Sequence, residues 1–187
     1  MKHTPLAIVL LLAATLTAGC ASTPPTFYTL DMRSTGNATS NGDLIVDHVT
    51  INDTLAGGAL PVKATPTELE YYHAAQWAGN LSEMVEEKFA AEYGPLDTSS
   101  DNIYVDLTLH AFQQQDISET EAEAYAKAEA KFRAKAMSRY DDPLKIRVYE
   151  HTEPMAEPTA SALAEALSRC IEAIAVEIAA DAAGVTP

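Results

Sequence analysis

The residues that could do chemistry are few and scattered. Cys20 and Cys170 lie far apart, and so do His48, His73, His110 and His151. A zinc site draws three or four such ligands together, commonly from closely spaced pairs, and no such pair is present. Neither is a Gly-x-Ser-x-Gly, a Cys-x-x-Cys, a His-Glu-x-x-His or a phosphate-cradling glycine loop. The 27 Asp+Glu are plentiful, but no motif singles out two of them as the acid and base of a hydrolase. The expectation is a protein without a catalytic, cofactor or metal site. One thiol does have a specific setting: Cys20 closes an apolar stretch and follows three small residues.

That stretch reads as an address. Lys2 and the α-amino group give a short positive start. Leu6 to Leu16 is then an apolar segment of 11 residues, interrupted only by Thr15. A bilayer core needs about 20 residues, so this is a secretory signal peptide, residues 1–19, and not a membrane span. Thr17-Ala18-Gly19-Cys20 resembles a bacterial lipobox. The cysteine is required there because the lipid is attached through a thioether. Thr17 stands where leucine is commonest, with Leu16 one step earlier. Acylation of Cys20, with chains such as palmitate, would anchor the protein stably, since each buried methylene contributes ~0.8 kcal/mol. Residue +2 is Ala21 rather than Asp, which by the Gram-negative sorting rule favours the outer membrane. Cys170 is then left without a partner and reads as a small core residue.

Charge and size bound the rest. The chain has 187 residues, a formal charge of −15 and 47% apolar residues. Removing Lys2 leaves 11 basic residues against 27 acidic ones. So acidic a protein lacks the basic footprint of general nucleic-acid binding. After a tether at 20–26, one domain at 27–187 is expected. Cys20 to Phe27 is seven steps, at most ~24 Å, so the domain should sit close to its membrane.

The elements alternate between two periods. Phe27–Leu30 reads as a first strand, 34–42 as a polar loop, 44–51 as a strand and Gly57-Gly58 as a turn. Residues 68–73 form a strand leading to Trp77. A helix is expected over 77–92, where Leu81, Val85, Phe89 and Tyr93 draw one stripe and Gly94-Pro95 ends it. Ile103 to Phe112 alternates again. The strand starting at Pro143 puts Leu144, Ile146 and Val148 on one face and Lys145 and Arg147 on the other. A closing helix spans Thr159 to Ala182, with Leu163, Leu167, Ile171, Ile174 and Ile178 as its stripe. The fold class is α/β in the α+β sense: two layers, a mostly antiparallel sheet, two main helices on one face.

Residues 121–137, EAEAYAKAEAKFRAKAM, divide propensity from period. Ala, Glu and Lys are strong helix formers. Yet Ala122 to Ala136 place alanine or Phe132 at every even position, with polar or charged residues between them apart from Tyr125. At 100° per residue that scatters charge around a helix; at 180° it gives a two-faced strand. A strand is expected, with a bulge, a bend or a projecting end. Seven of the 11 remaining basic residues fall at Lys127, Lys131, Arg133, Lys135, Arg139, Lys145 and Arg147. Two readings stand: a docking face for an acidic partner or lipid headgroups, or a solvated face balanced by Glu121, Glu123 and Glu129.

The chain resembles the ABC-type transport auxiliary lipoproteins, the PqiC-like family of membrane integrity-associated transporter subunits. Pro24-Pro25-Thr26-Phe27-Tyr28-Thr29-Leu30 is similar to the family's S-P-P-x-x-Y-T-L opening. Tyr71-Tyr72 leading to Trp77-Ala78-Gly79-Asn80-Leu81 looks like its strand followed by W-A-x-x-L. The alanine-only even face of 121–137 departs from it, since larger aliphatics are usual there. The resemblance implies a non-enzymatic, lipid-anchored periplasmic component of an ABC/MCE-type lipid transport system. Its partners would be an MCE-domain protein and an inner-membrane permease, with docking at the outer membrane and a homo-oligomeric ring. Tyr28, Leu30, Trp77 and Leu81 would then be structural motif residues. A rival reading is an outer-membrane lipoprotein that activates a cell-wall synthase or assists secretion-pore assembly.

Overall fold

The computed structural model describes residues 24–38, 44–94, 102–118 and 120–185. The signal peptide, Cys20 and most of the tether lie outside them. The strands are β1 (Thr26–Tyr28), β2 (Leu44–Ile51), β3 (Ala59–Thr65), β4 (Glu68–Trp77), β5 (Ile103–Asp116), β6 (Ala122–Ala134) and β7 (Lys145–Pro154). The helices are α1 (Leu81–Tyr93) and α2 (Ala160–Ala182). The sheet runs β1-β4-β3-β5-β6-β7, with β2 also paired to β5. β3/β4, β5/β6 and β6/β7 are antiparallel. β1/β4, β2/β5 and β3/β5 are parallel. The helices touch each other and cover one face, α1 over β2 and α2 over β5, β6 and β7. This is the expected α+β arrangement, with β1 at one edge of the sheet.

β6 is a strand, as its period requires. Ala124, Ala126, Ala128, Ala130 and Phe132 are 0% exposed, while the residues between them face outward. The bulge falls in its partner β5, between Leu109 and Ala111. The reason for small side chains is the closeness of α2: Cys170 Sγ lies 3.8 Å from the carbonyl oxygen of Ala124. The volume that alanine leaves is filled from the helix. Leu163, Leu167, Ile171, Ile174 and Ile178 are all fully buried, and each contributes about 1.5–3 kcal/mol relative to exposure.

Three expectations need correction. Trp77 is the last residue of β4, not the first of a helix. α1 begins at Leu81 because Asn80 caps it, its side chain accepting from Ser82 N at 3.0 Å, which satisfies an otherwise unpaired donor. β3 had no counterpart in the pattern, since Pro61 within a run argues against a strand; here Pro61 sits at an irregularity of the β3/β4 ladder. The strand expected from Pro143 begins at Lys145 and runs to Pro154.

That irregularity bends β4. Two steps along β3, Ala59 to Pro61, oppose five along β4, Gln76 to Tyr71. The surplus is taken up near Ala74, whose φ of 55° is left-handed. An alanine there costs roughly 1–2 kcal/mol, and glycine's extra chain entropy offsets about half of the relief. Ala74→Gly should therefore raise stability by about 0.5–1 kcal/mol, read as a higher thermal midpoint. A lowered midpoint would mean that the methyl group packs productively.

Candidate functional site

Site-building begins where the chain enters the fold. Tyr28 pairs in register with Trp77, and its carbonyl accepts from Ala78 N at 2.8 Å. Leu30, just past β1, is 2% exposed. Trp77 packs on Phe112, ring centroids 5.7 Å apart, and Leu81 opens α1 four residues later. Leu30, Trp77 and Leu81 thus meet in one apolar core, and half-buried Tyr28 packs against it. Trp77 and Leu81 tie the β4–α1 junction to the sheet. The indole N–H of Trp77 is buried and finds no acceptor among the described residues.

Beyond Leu30 the chain is fastened to both helices. Asp31 N donates to Ser168 Oγ at 3.0 Å. The Arg33 guanidinium holds the Asp31 carboxyl well below the usual carboxylate range. The carbonyl of Arg33 then accepts from Lys88 Nζ at 2.7 Å. Lys88 also meets Glu92 and Glu172, each at 2.8 Å. Glu92 in turn accepts from Thr35 N at 3.0 Å and Thr35 Oγ1 at 2.8 Å. The side chains of Lys88 and Glu92 are fully buried. Burial alone would lower the Lys88 pKa, but Glu172 and Glu92 outweigh it and hold it above the ordinary lysine value. Burial likewise pushes Glu92 up, and Lys88 with Thr35 brings it below the ordinary glutamate value. The result is a latch joining the segment after β1 to α1 and α2. Sequence reasoning missed it, because Lys88 and Glu92 at four-residue spacing look like an exposed surface pair.

The basic cluster is already engaged. Lys127 meets Glu150 at 2.6 Å and Lys131 meets Glu129 at 3.5 Å. Arg133 binds Asp106 at 3.0 Å and also Asp47. Arg139 lies 3.7 Å from Asp47. Lys145 and Arg147 reach Asp181 of α2 at 2.7 and 3.6 Å, where Tyr149 also donates to Asp181. This is the balanced-face reading, although most of the balancing carboxylates come from elsewhere than residues 121–129.

The remaining chemistry is quiet. Burial pushes the Cys170 thiol up to about 12, so it stays protonated and inert at neutral pH. His151 meets Glu153 at 3.2 Å on the surface. Among the described residues no group of three or more His, Cys, Asp or Glu could hold a metal ion. No helix among them is long and apolar enough to cross a membrane.

Fold and site together define an α+β domain whose charged groups fasten its own elements to one another. The chain belongs to the ABC-type transport auxiliary lipoprotein components, whose family model matches residues 28–179. Membership points to a transport role other than catalysis. A crystal structure of a Xanthomonas campestris protein of the DUF330 family is similar at 17% identity with a TM-score of 0.65. The match covers 86% of this chain and 99% of that one. A crystal structure described as an uncharacterized protein is similar at 14% identity, TM-score 0.64, covering 85% of this chain and 99% of that one. At such identities the two likenesses speak for the fold alone. No curated protein matches the chain.

Proposed function

We propose that this protein is a lipid-anchored periplasmic auxiliary component of an ABC/MCE-type intermembrane lipid transport system, docking the assembly at the outer membrane. In this reading Cys20 carries the acyl chains and residues 20–26 are a short tether. The membership of a transport auxiliary lipoprotein family supplies the transport context.

The observation that carries the docking role is where the chain enters the fold. β1 runs parallel to β4 from Thr26 opposite Ala75, so the tether arrives from the end at which β4 begins. The β5–β6 turn and the end of β7 lie at that same end, since Asp116 pairs with Ala122 and Glu123 with Pro154. The 14-residue β5 extends about 45 Å at ~3.3 Å per residue. A short tether at one end thus holds the other end out toward the periplasm, and the latch keeps the attachment stiff.

In-cell crosslinking of a C-terminally tagged protein, with mass spectrometry of what is captured, tests this. An MCE-domain protein or its permease is expected. A cell-wall synthase or secretion-pore subunit, with no transport component, would sink the reading.

A further inference from the structure

The tether is short against the domain that it holds. Thr26 opposes Ala75 of β4, and the next residue, Gln76, opposes Ala59 of β3. The chain therefore enters the sheet near the level of Leu60. From there β3 runs on to Thr65, about 17 Å at ~3.3 Å per residue. From Thr26 back to Cys20 the chain spans at most ~20 Å. A straight tether thus brings Cys20 level with the β3–β4 turn and hardly past it, and a bent one brings it less far. A lipid on Cys20 holds this end of the sheet against the lipid surface.

Ile117 stands at that end. β3 and β5 run parallel there, with Lys63 opposite Gln115, so Ile117 is level with Thr65. Its side chain is 63% exposed in the β5–β6 turn. The turn satisfies its own backbone. Ile117 N and Ser118 N donate to the carbonyl of Glu121 at 2.9 and 3.1 Å. Thr120 N and Glu121 N donate to Ser118 Oγ at 3.3 and 3.1 Å. A tip that enters an apolar medium must keep its donors paired in this way.

Between the two turns lies an open cleft of about 260 Å³, whose lining includes Lys63, Thr65, Gln115 and Asp116. Lys63 has no carboxylate partner among the described residues, unlike Lys127, Arg133 and Lys145 on the neighbouring strands. Asp116 is engaged, accepting from Gln114 Nε2 at 2.5 Å. Lys63 lies two residues back from the level of Ile117, about 7 Å along the strands. An interfacial segment passes from headgroups into the acyl boundary over about 5–10 Å. Residues 116–121 carry three carboxylates, Asp116, Glu119 and Glu121. These disfavour an electrostatic hold on anionic lipid, so the contact is apolar and the anchor must bring it to the surface.

We infer that the β5–β6 turn is a second membrane contact: Ile117 enters the acyl boundary of the membrane that holds Cys20, and Lys63 meets the headgroup phosphates above it. One aliphatic side chain does not hold a protein at a membrane by itself. Beside an anchor it fixes the tilt of the domain, because two points of attachment replace one. This inference rests on the proposed acylation of Cys20.

The test uses the full acylated chain in vesicles of phosphatidylethanolamine with a minor share of phosphatidylglycerol. An environment-sensitive fluorophore is placed on Ile117→Cys, on Thr67→Cys in the β3–β4 turn, or on Tyr140→Cys, 92% exposed and beyond the opposite end of β6. Cys170 is buried and stays unlabelled. Flotation with the vesicles reads the anchoring. Quenching by a nitroxide high on the lipid acyl chain reads the contact. Labels at 117 and 67 should be quenched and blue-shifted, and the label at 140 should not. Adding Ile117→Glu to the chain labelled at 67 should shift the equilibrium about tenfold toward a free tip, the change carried by one buried aliphatic side chain, with flotation unchanged. A chain that floats, but whose labels at 117 and 67 are quenched no more than the one at 140, overturns the inference and leaves the anchoring intact. Quenching at 67 that Ile117→Glu does not alter overturns it as well. A chain that carries no acyl group and does not float overturns both.

Discussion

Replacing Lys88 by methionine is expected to destabilise the domain by about 3–5 kcal/mol, the usual result of removing one partner from a buried ion pair. Against a total of roughly 5–15 kcal/mol, that is a large share. The variant keeps an unbranched side chain, one atom shorter, but leaves Glu92, fully buried, and Glu172, 21% exposed, without their shared cation. It also strips the Arg33 carbonyl of its donor. Adding Glu92→Gln should restore part of the loss, because the amide oxygen still accepts from Thr35 and the partly exposed Glu172 is then the one carboxylate of the latch left without its cation. Denaturant midpoints at neutral pH read both effects. A single-variant loss under about 1 kcal/mol would show that the latch is no stronger than a surface pair.

The pH dependence supplies a second sign. In the native protein Glu92 titrates below its ordinary 4.5. Its contribution is therefore present above that value and is lost as pH falls below it. In Lys88→Met the Lys88 share of the lowering is gone and burial is opposed by the Thr35 hydrogen bonds alone, so protonation relieves the site more readily than in the native protein. The stability gap between variant and native protein should narrow as pH falls through the glutamate range. A gap that stays constant on acidification would mean that Glu92 is held by its Thr35 hydrogen bonds and not by Lys88.

Much of the fold was legible because burial imposes a period. The even-numbered face of β6 overrode the helix propensity of its alanines, and every alanine from Ala122 to Ala130 is buried. The stripes Leu81-Val85-Phe89-Tyr93 and Leu163-Leu167-Ile171-Ile174-Ile178 face the core as their spacing requires. Three things were not legible, each for a reason. Alternation on β7 shows that two faces differ, but not which one meets the helices; the apolar one faces water because Lys145, Arg147 and Tyr149 converge on Asp181. β3 hid behind Pro61. The latch hid because a lysine and a glutamate four residues apart carry no mark of burial. That burial comes from the segment folded over them, through contacts such as Lys88 to Arg33 and Glu92 to Thr35, far apart in sequence.

The largest effect on function is expected from Cys20→Ala. The substitution removes the thiol through which the proposed lipid would be attached, and Cys20 lies outside the described residues. Folding of the domain is expected to be unchanged. Even one myristoyl chain gives a membrane association constant of about 10⁴ M⁻¹, and two or more give stable anchoring. Loss of the chains should move the protein from the membrane fraction almost wholly into the soluble periplasm, while its thermal midpoint matches that of the native domain. Transport should fail with it. Seven residues of tether cannot hold the domain at a surface to which it is no longer attached. A soluble Cys20→Ala protein that still supports full transport would show that the partner alone positions the domain, and that the stiffness of the latch serves stability rather than docking.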